Sequence, residues 1–495
     1  MTYALGVDVG ATHTAAAVWR DGRALPAVLR PLDYDIPSVL YLEKNGTRLV
    51  GEAAVRRSAG HSDRTARRFK RHLGADAVRL AGADVPAEEL VADMIRFAAG
   101  RVAEHEGGPP AHVTLTCPAR WGPAQQALME RAAGLAGLES VGLVPEPIAA
   151  AVSHAAGAMS PSAGVRTGAL LGVYDLGGGT FGATVVRKTV GGFEVCGRPG
   201  GLDDVGGVTF DEVVYEEVVR ASGPALSGLR PDDRATARHL AQVRAGCERA
   251  KEALSSQDRA RVTVVLPHFS DEVTVTRPVF ESGITPALSR TVSTFTDTVH
   301  AAGYDLADLS LVLLVGGSSR IPLVSRLLAR ALPPTVRLEE GSYPELATCL
   351  GAAITAGTRV SKSKVPPDAH IPSQSAHVGS VPRARGVDRI AVRNDRTAEP
   401  RHAGPVPPDV AAGASMPVIS VDRVAAGIGD LLDVPLAPDV APRTHPLLAD
   451  SETLTIRTGH DAGYGRSERL YVVLIVLAVA LVLFLAWLLA VLSHR

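Results

Sequence analysis

The chain has 495 residues, 46% of them hydrophobic, and its formal net charge at pH 7 is −1. This balance excludes a strongly basic or acidic surface, so nucleic acid is not an expected partner. The four cysteines are far apart in sequence and form no CxxC pair. They predict reduced, buried thiols and not a zinc site or a disulfide framework.

Residues 1–358 alternate apolar, β-branched runs with amphipathic stretches of helical period. This alternation predicts an α/β fold in which helices cover the sheets. The clearest segments are the strands Val113–Thr116 and Leu311–Val315, the helices Ala124–Ala136 and Arg234–Ser255, and a hairpin within Val262–Phe280.

Three glycine-rich motifs follow one another along this region: Gly6–Thr14, Tyr174–Phe181 and Val315–Pro322. In the first two, an aspartate (Asp8 or Asp175) ends an apolar strand and precedes a glycine turn with small hydroxyl residues. This repeat predicts two similar lobes, each of which contributes one phosphate-binding loop. The three motifs in this order predict a clamp for a nucleotide between the lobes.

The chemistry of a polyphosphate explains why glycine recurs in these loops. Glycine has no Cβ, so backbone N–H groups at Gly10–Thr12 and Gly177–Thr180 can approach phosphate oxygens closely. Magnesium usually keeps several of its waters and binds few protein carboxylates. Asp8 and Asp175 are therefore predicted to hold Mg²⁺ through water.

Six segments together resemble the ATPase domain of the seventy-kilodalton heat-shock chaperones, the Hsp70 family. They are Phe69–Gly74, Pro145–Ala151, Val173–Phe181, Gly206–Asp211, Glu248–Ser256 and Val315–Pro322. The resemblance covers residues 1 to about 358. It implies the two-lobed fold of the actin, hexokinase and heat-shock ATPase superfamily, with duplicated ribonuclease-H-like lobes. The implied ligands are ATP or ADP with Mg²⁺, and K⁺ as a further ion.

The resemblance also implies individual catalytic roles. Lys70 would point at the γ-phosphate and its attacking water, and Glu146 would help to hold a metal-bound water. Asp175 would orient waters on the metal, and Thr180 would donate a hydrogen bond near the γ-phosphate.

The same resemblance implies the nucleotide contacts outside this catalytic group. Glu248, Lys251 and Ser255 have the spacing of one helix face and would reach ribose and adenine. Arg320 would stack on adenine. The full set of implied contacts is Asp8, Gly10, Ala11, Thr12, His13, Gly177, Gly178, Gly179, Gly206, Gly207, Glu248, Lys251, Ser255, Gly316, Gly317, Ser318 and Arg320.

Two departures from the family pattern leave alternatives open. Gly182 stands where the family usually has an acidic residue, which predicts slow hydrolysis or none. No stretch resembling the family's peptide-binding sandwich follows the ATPase region. The leading hypothesis is a weak ATPase that acts as a nucleotide-dependent switch or chaperone-like factor. The alternatives are a pseudo-ATPase scaffold, a sugar kinase and an actin-like filament protein.

The last part of the chain has a different character. Residues 359–469 are rich in proline and alanine and predict a disordered cytoplasmic linker. Leu470–Leu492 is 23 residues long and carries no charge, which predicts one transmembrane helix. Arg466 and Arg469 precede it, and no signal peptide is expected at the N-terminus. The expected location is the cell membrane, with the N-terminal domain in the cytoplasm beside an unidentified membrane or envelope partner.

Overall fold

The computed structural model describes residues 2–363 apart from 32, 76, 140, 158–163, 228, 230–233 and 342. The strands in this part of the chain are β1 (Ala4–Val9), β2 (His13–Arg20), β3 (Arg23–Pro26), β4 (Asp35–Pro37), β5 (Val39–Leu42), β6 (Arg48–Val50), β7 (Thr65–Arg67), β8 (Val78–Leu80), β9 (Ala83–Val85), β10 (His112–Cys117), β11 (Val141–Pro145), β12 (Leu170–Leu176), β13 (Phe181–Thr189), β14 (Gly192–Leu202), β15 (Arg259–Leu266), β16 (Phe269–Thr276), β17 (Leu309–Val315) and β18 (Arg337–Glu340). The helices are α1 (Glu52–Ser58), α2 (Ala87–Glu106), α3 (Pro123–Leu135), α4 (Glu146–Ala155), α5 (Gly207–Ser222), α6 (Pro224–Ser227), α7 (Arg234–Ala253), α8 (Arg277–Ala301), α9 (Pro322–Ala331) and α10 (Ala347–Ser363).

The first large sheet has the strand order β11-β10-β1-β2-β3, and β4 pairs with the first three residues of β2, His13–Ala15. Its central strand β1 runs parallel to β10 and antiparallel to β2. The site residue Asp8 lies near the carboxyl end of this central strand, opposite Ala15 of β2. The β1 strand is almost entirely buried, as its apolar sequence predicts.

The second large sheet repeats this arrangement with the order β18-β17-β12-β13-β14. Here β12 runs parallel to β17 and antiparallel to β13, and Asp175 lies opposite Gly182 of β13. The predicted repeat of Asp8 and Asp175 therefore corresponds to two sheets of the same topology. The predicted α/β class is confirmed, and the arrangement fits an actin-like ATPase fold.

Helix α10 packs closely on the first sheet and on α4. A Cβ at Gly6 of β1 would lie 2.2 Å from the backbone nitrogen of Ala353, and a Cβ at Gly351 would lie 1.8 Å from the carbonyl oxygen of Ala149. Glycine is required at both positions because real Cβ contacts are never this short. This close packing places the first turn of α10 beside Asp8.

Most of the elements expected from the sequence lie within two residues of their predicted limits. The expected hairpin is the antiparallel pair β15 and β16, although Phe280 belongs to α8. The prediction that Ser255 shares the helix of Glu248 and Lys251 is wrong, because α7 ends at Ala253. The Ser255 N–H instead bonds the carbonyl of Glu252 at 3.1 Å in a tighter turn.

The described residues test the prediction on the thiols but do not include the predicted membrane span. Cys117, Cys196, Cys247 and Cys349 are all buried and free, as expected. The predicted linker lies almost wholly outside the described residues, and Leu470–Leu492 lies entirely outside them, so both stay predictions. Within residues 2–363, no described helix combines the length and the apolar character needed to cross a bilayer.

Candidate functional site

A cleft of about 1030 Å³ opens between the two large sheets, and all three glycine-rich motifs border it. Both central strands, β1 and β12, point their carboxyl ends at it, which is the usual position for ligands in α/β sheets. The predicted site residues that line it are Asp8, Gly10, Ala11, Thr12, His13, Lys70, Glu146, Asp175, Gly177, Gly178, Gly179, Thr180, Glu248, Lys251, Ser255, Gly316, Gly317, Ser318 and Arg320.

The two phosphate loops form the same turn. In the first, the Gly10 N–H donates to the carbonyl of His13 at 2.9 Å. In the second, the Gly177 N–H donates to the carbonyl of Thr180 at 3.1 Å. Each turn directly follows the strand that carries an aspartate, so the sequence repeat is also a repeat of backbone geometry.

The loops also touch each other and are supported from one side. A Cβ at Gly178 would lie 2.2 Å from Thr12 Oγ1, so glycine is needed where the loops meet. The predicted residues Gly206 and Gly207 do not line the cleft. A Cβ at Gly206 would lie 2.8 Å from the Thr180 nitrogen, and the Gly207 N–H donates to the Gly177 carbonyl at 3.1 Å. They support the second loop, and Gly207 also lies against Ser318 and Lys251 of the cleft wall.

Two threonines from different elements fix the carboxylate of Asp8. Thr116 of β10 donates to Oδ1 at 2.5 Å, and Thr348 of α10 donates to Oδ2 at 2.6 Å. These two hydroxyl donors hold the carboxyl group in one orientation. Asp8 is therefore a pre-oriented carboxyl group at the base of the cleft.

Lys70 and Glu146 form a buried ion pair beside Asp8. Lys70 Nζ lies 2.9 Å from Glu146 Oε1, and the Lys70 side chain is only 7% exposed. Burial alone opposes the charge on Lys70, but the carboxylates of Glu146 and Asp8 raise its pKa above the usual value. Burial and Asp8 raise the pKa of Glu146, and Lys70 opposes that rise. The Trp121 ring centroid lies 5.5 Å from Nζ and limits the space around the cation.

Asp175 lies in the same anionic cluster from the opposite lobe. Burial, followed by the charges of Glu146 and Asp8, raises the pKa of Asp175 to about 8. Three carboxylates facing one lysine leave an excess of negative charge, which suits a divalent cation. In the described part of the chain, no three Asp, Glu, His or Cys side chains are grouped to ligate a metal directly. Carboxyl groups suit a Mg²⁺ ion that keeps several of its waters, and Asp8 and Asp175 are the residues that would hold it.

The third motif forms the opposite wall of the cleft. Gly316 has φ +83°, and a Cβ there would lie 2.4 Å from the Leu176 carbonyl, so the turn requires glycine. Arg320 forms a two-nitrogen contact with Glu345. Lys251 Nζ lies 2.8 Å from Asp211 Oδ1, and burial raises the pKa of Asp211 to about 6. Both ion pairs, Arg320 with Glu345 and Lys251 with Asp211, line the cleft.

Sequence reasoning missed the partners that position the predicted residues. They share one property, which is a contact with a site residue far away in sequence, and they are Thr116, Trp121, Asp211, Glu345 and Thr348. Asp211 alone carried a signal, since it lies in a segment that resembles a family motif.

Comparison with known proteins places this cleft in a family. A family model described as Hsp70 protein matches residues 76–367. The chain is 33% identical over 383 residues to proteins named Chaperone protein HscA homolog from Burkholderia mallei and Burkholderia pseudomallei. The corresponding protein of Burkholderia thailandensis is 32% identical over the same length. Each alignment covers 71% of this chain and 58% of the relative.

The chain thus spans less than two thirds of the length of these relatives. The family model itself covers more than half of the chain and includes the second and third glycine motifs. Its match agrees with the two repeated sheets and with the cleft between them. The chain belongs to the Hsp70 family, and its described region is an Hsp70-family nucleotide-binding ATPase domain.

Proposed function

We propose that this protein is a membrane-tethered, Hsp70-like ATPase that works as a nucleotide-dependent switch or chaperone-like factor for a membrane or envelope partner. Its ligands are ATP and ADP with Mg²⁺, and K⁺ assists hydrolysis. Named relatives are described as chaperones, which supports the chaperone-like part of the proposal.

The observation that carries the proposal is the Lys70–Glu146 ion pair between the two phosphate loops. Lys70 is buried, and it stays charged because Glu146 and Asp8 raise its pKa. A fixed cation in a site of low dielectric stabilises the charge that develops on a transferring phosphoryl group. Glu146 holds Lys70 in place and offers its second oxygen to a water.

The loops supply the remaining contacts for phosphates. Both loops line the cleft, and their backbone N–H groups and the Thr180 hydroxyl are the donors for phosphate oxygens in this proposal. Mg²⁺ supplies positive charge that offsets the anionic cluster when it is bound with the nucleotide. Asp8 and Asp175 then orient its waters from opposite lobes, so binding favours closure of the two lobes on the ligand.

The test is single-turnover ATP hydrolysis by the full-length protein with Mg²⁺ and K⁺. Lys70→Ala is expected to slow hydrolysis by at least about a hundredfold, since a charge acting on the transition state is removed. Asp175→Ala is expected to act similarly. Lys188→Ala and Asp258→Ala are matched controls, because both residues lie away from the cleft. Hydrolysis that survives both cleft substitutions would disprove the proposed chemistry.

A pseudo-ATPase scaffold is the second candidate, and Gly182 is the observation that favours it. Gly182 lies opposite Asp175 and brings no carboxylate to this part of the cleft. In this alternative the protein holds ATP structurally and presents one closed shape to its partner. Tight ATP binding by the wild type without turnover would select the scaffold.

The membrane part of the proposal depends on Leu470–Leu492, with the N-terminal domain placed in the cytoplasm at the cell membrane. A single arginine near the centre of a spanning helix costs about 2.5–3.5 kcal/mol. Val482→Arg is therefore expected to move much of the protein from the membrane fraction to the supernatant, whereas Val482→Leu leaves it in the membrane. An equal distribution of the two variants would argue against the tether.

A further inference from the structure

A charged side chain crosses the cleft beyond Lys70. Arg120 follows β10 of the first large sheet, and its Nη2 donates to Asp203, which follows β14 of the second. Both residues line the cleft, and Arg120 is followed directly by Trp121, the ring that lies beside Lys70. Burial raises the pKa of Glu146, and the charge of Arg120 is close enough to oppose part of that rise. Arg120 therefore belongs to the phosphate end of the cleft.

The Arg120 guanidinium lies against the glycine backbone of β14. Gly201 of β14 lies opposite Gly182 of β13, which in turn lies opposite Asp175. A Cβ built on Gly201 would lie 3.4 Å from both Cζ and Nε of Arg120. The guanidinium thus lies against bare backbone, one strand away from the strand that faces Asp175.

The two cations at this end of the cleft differ in how firmly they are held. Lys70 is buried and paired with Glu146, and breaking a buried pair leaves an uncompensated charge. The Arg120 and Asp203 side chains are 38% and 60% exposed, and exposed pairs contribute little stability. Arg120 can leave Asp203 at small cost, because water replaces it around the aspartate.

We propose that Arg120 is a phosphate-binding residue that exchanges Asp203 for the terminal phosphate of bound ATP. The inference rests on the proposed nucleotide-binding function. A guanidinium offers two parallel N–H donors to phosphate oxygens, and this geometry is stronger and more specific than a contact with one exposed carboxylate. Gly182 brings no negative charge to the cleft, whereas Arg120 brings a positive one. Its contact distinguishes ATP from ADP, since only ATP carries the third phosphate.

The experiment measures the affinity of the full-length protein for ADP and for a non-hydrolysable ATP analogue, both with Mg²⁺. Arg120→Ala is expected to weaken binding of the ATP analogue at least about tenfold and to change ADP affinity less than about twofold. The affinity of Arg120→Lys for the ATP analogue is expected to lie between those of the wild type and Arg120→Ala. Lysine keeps the positive charge but lacks the two parallel N–H donors of the guanidinium. Asp203→Asn is expected to keep or tighten binding of the ATP analogue, because it frees Arg120.

Arg290→Ala is the matched control, since Arg290 forms an exposed ion pair with the neighbouring Asp204 and does not line the cleft. If Arg120→Ala and Asp203→Asn each lost affinity for ADP and for the ATP analogue equally, the ion pair would only link the two lobes. That result would overturn the proposal. Unchanged binding of the ATP analogue in Arg120→Ala would also overturn it. Failure of the wild type to bind either nucleotide would instead refute the proposed function, and this inference with it.

Discussion

The two phosphate loops have the same backbone turn and follow equivalent strands, yet their aspartates are held differently. Asp8 accepts hydrogen bonds from Thr116 and Thr348. Among the described residues, no side chain donates a hydrogen bond to Asp175, and its pKa is raised to about 8. Ser38 also fastens the first loop through the carbonyls of Gly10 and Thr12.

This difference shows how one duplicated topology can serve two purposes. The first loop follows a carboxyl group that is oriented before any ligand arrives. The second loop carries a carboxyl whose charge is costly until a cation offsets it. The carboxyl of the first lobe is therefore oriented in advance, and we expect the charge of the second lobe's carboxyl to depend on the bound cation.

Adding a methyl group to each loop gives the largest expected effect. Gly178→Ala places a Cβ 2.2 Å from the side chain of Thr12, and Gly10→Ala places one 2.4 Å from the backbone carbonyl of His13. Gly10→Ala is expected to destabilise the protein by about 3 kcal/mol, because the clash is with backbone. Gly178→Ala is expected to cost about 1–3 kcal/mol, because only the Thr12 side chain must shift. The melting temperature of the purified protein measures this.

Because the two variants clash with different atoms, a second substitution at Thr12 should restore the stability of only one of them. Thr12→Gly should restore most of the lost stability of Gly178→Ala, because it removes the atoms that clash. It should not rescue Gly10→Ala, because that clash lies inside the first turn itself. Equal rescue of both variants would contradict the described contact between the loops.

Removing one donor from Asp8 should have the next largest effect. Thr348→Val keeps the shape of the side chain but removes the hydroxyl that binds Oδ2. A hydrogen bond to a charged group contributes about 1.5–3 kcal/mol, so a loss of this size is expected in denaturant unfolding, together with weaker nucleotide binding. Thr285→Val, whose hydroxyl binds within α8, is the control that should leave nucleotide affinity unchanged.

The raised pKa of Asp175 predicts a dependence of stability on pH. Between about pH 4 and pH 8 the folded protein keeps a proton on Asp175 that the unfolded chain releases. The stability of the nucleotide-free protein should therefore fall as the pH rises through this window. Asp175→Asn should flatten that fall, with a higher melting temperature than the wild type at pH 8 and a similar one near pH 5. A fall of the same size in the variant would show that other groups cause it.

The smallest effect is expected at the register partner of Asp175. A Cβ at Gly182 would lie 3.8 Å from the Asp175 Cβ, which is ordinary contact, so the position accepts a side chain. Gly182→Asp should speed single-turnover hydrolysis by less than about tenfold, because its carboxylate acts on the ion site through water. Gly182→Ala is the matched control. A rate increase of the same size in this variant would show that the added charge is not the cause.

Local patterns were sufficient to predict the class of fold, the repeat and the loops. A glycine turn after a buried strand that ends in Asp8 or Asp175 is encoded within a few residues, so the sequence reveals it directly. Thr348 could not be found in this way, because it meets Asp8 across 340 positions of the chain. Ser255 was placed on a helix because spacing alone does not show that α7 ends at Ala253.

The bond between Thr348 and Asp8 has a consequence for how the domain forms during synthesis. The second anchor of Asp8 is made 340 residues after Asp8 itself. At about 5–20 residues per second, roughly 20–70 s separate the two. During this interval Asp8 lacks the hydrogen bond from Thr348 to its Oδ2. Nascent chains that stop before α10 should therefore bind nucleotide poorly, and the ligand would select for chains whose domain is complete.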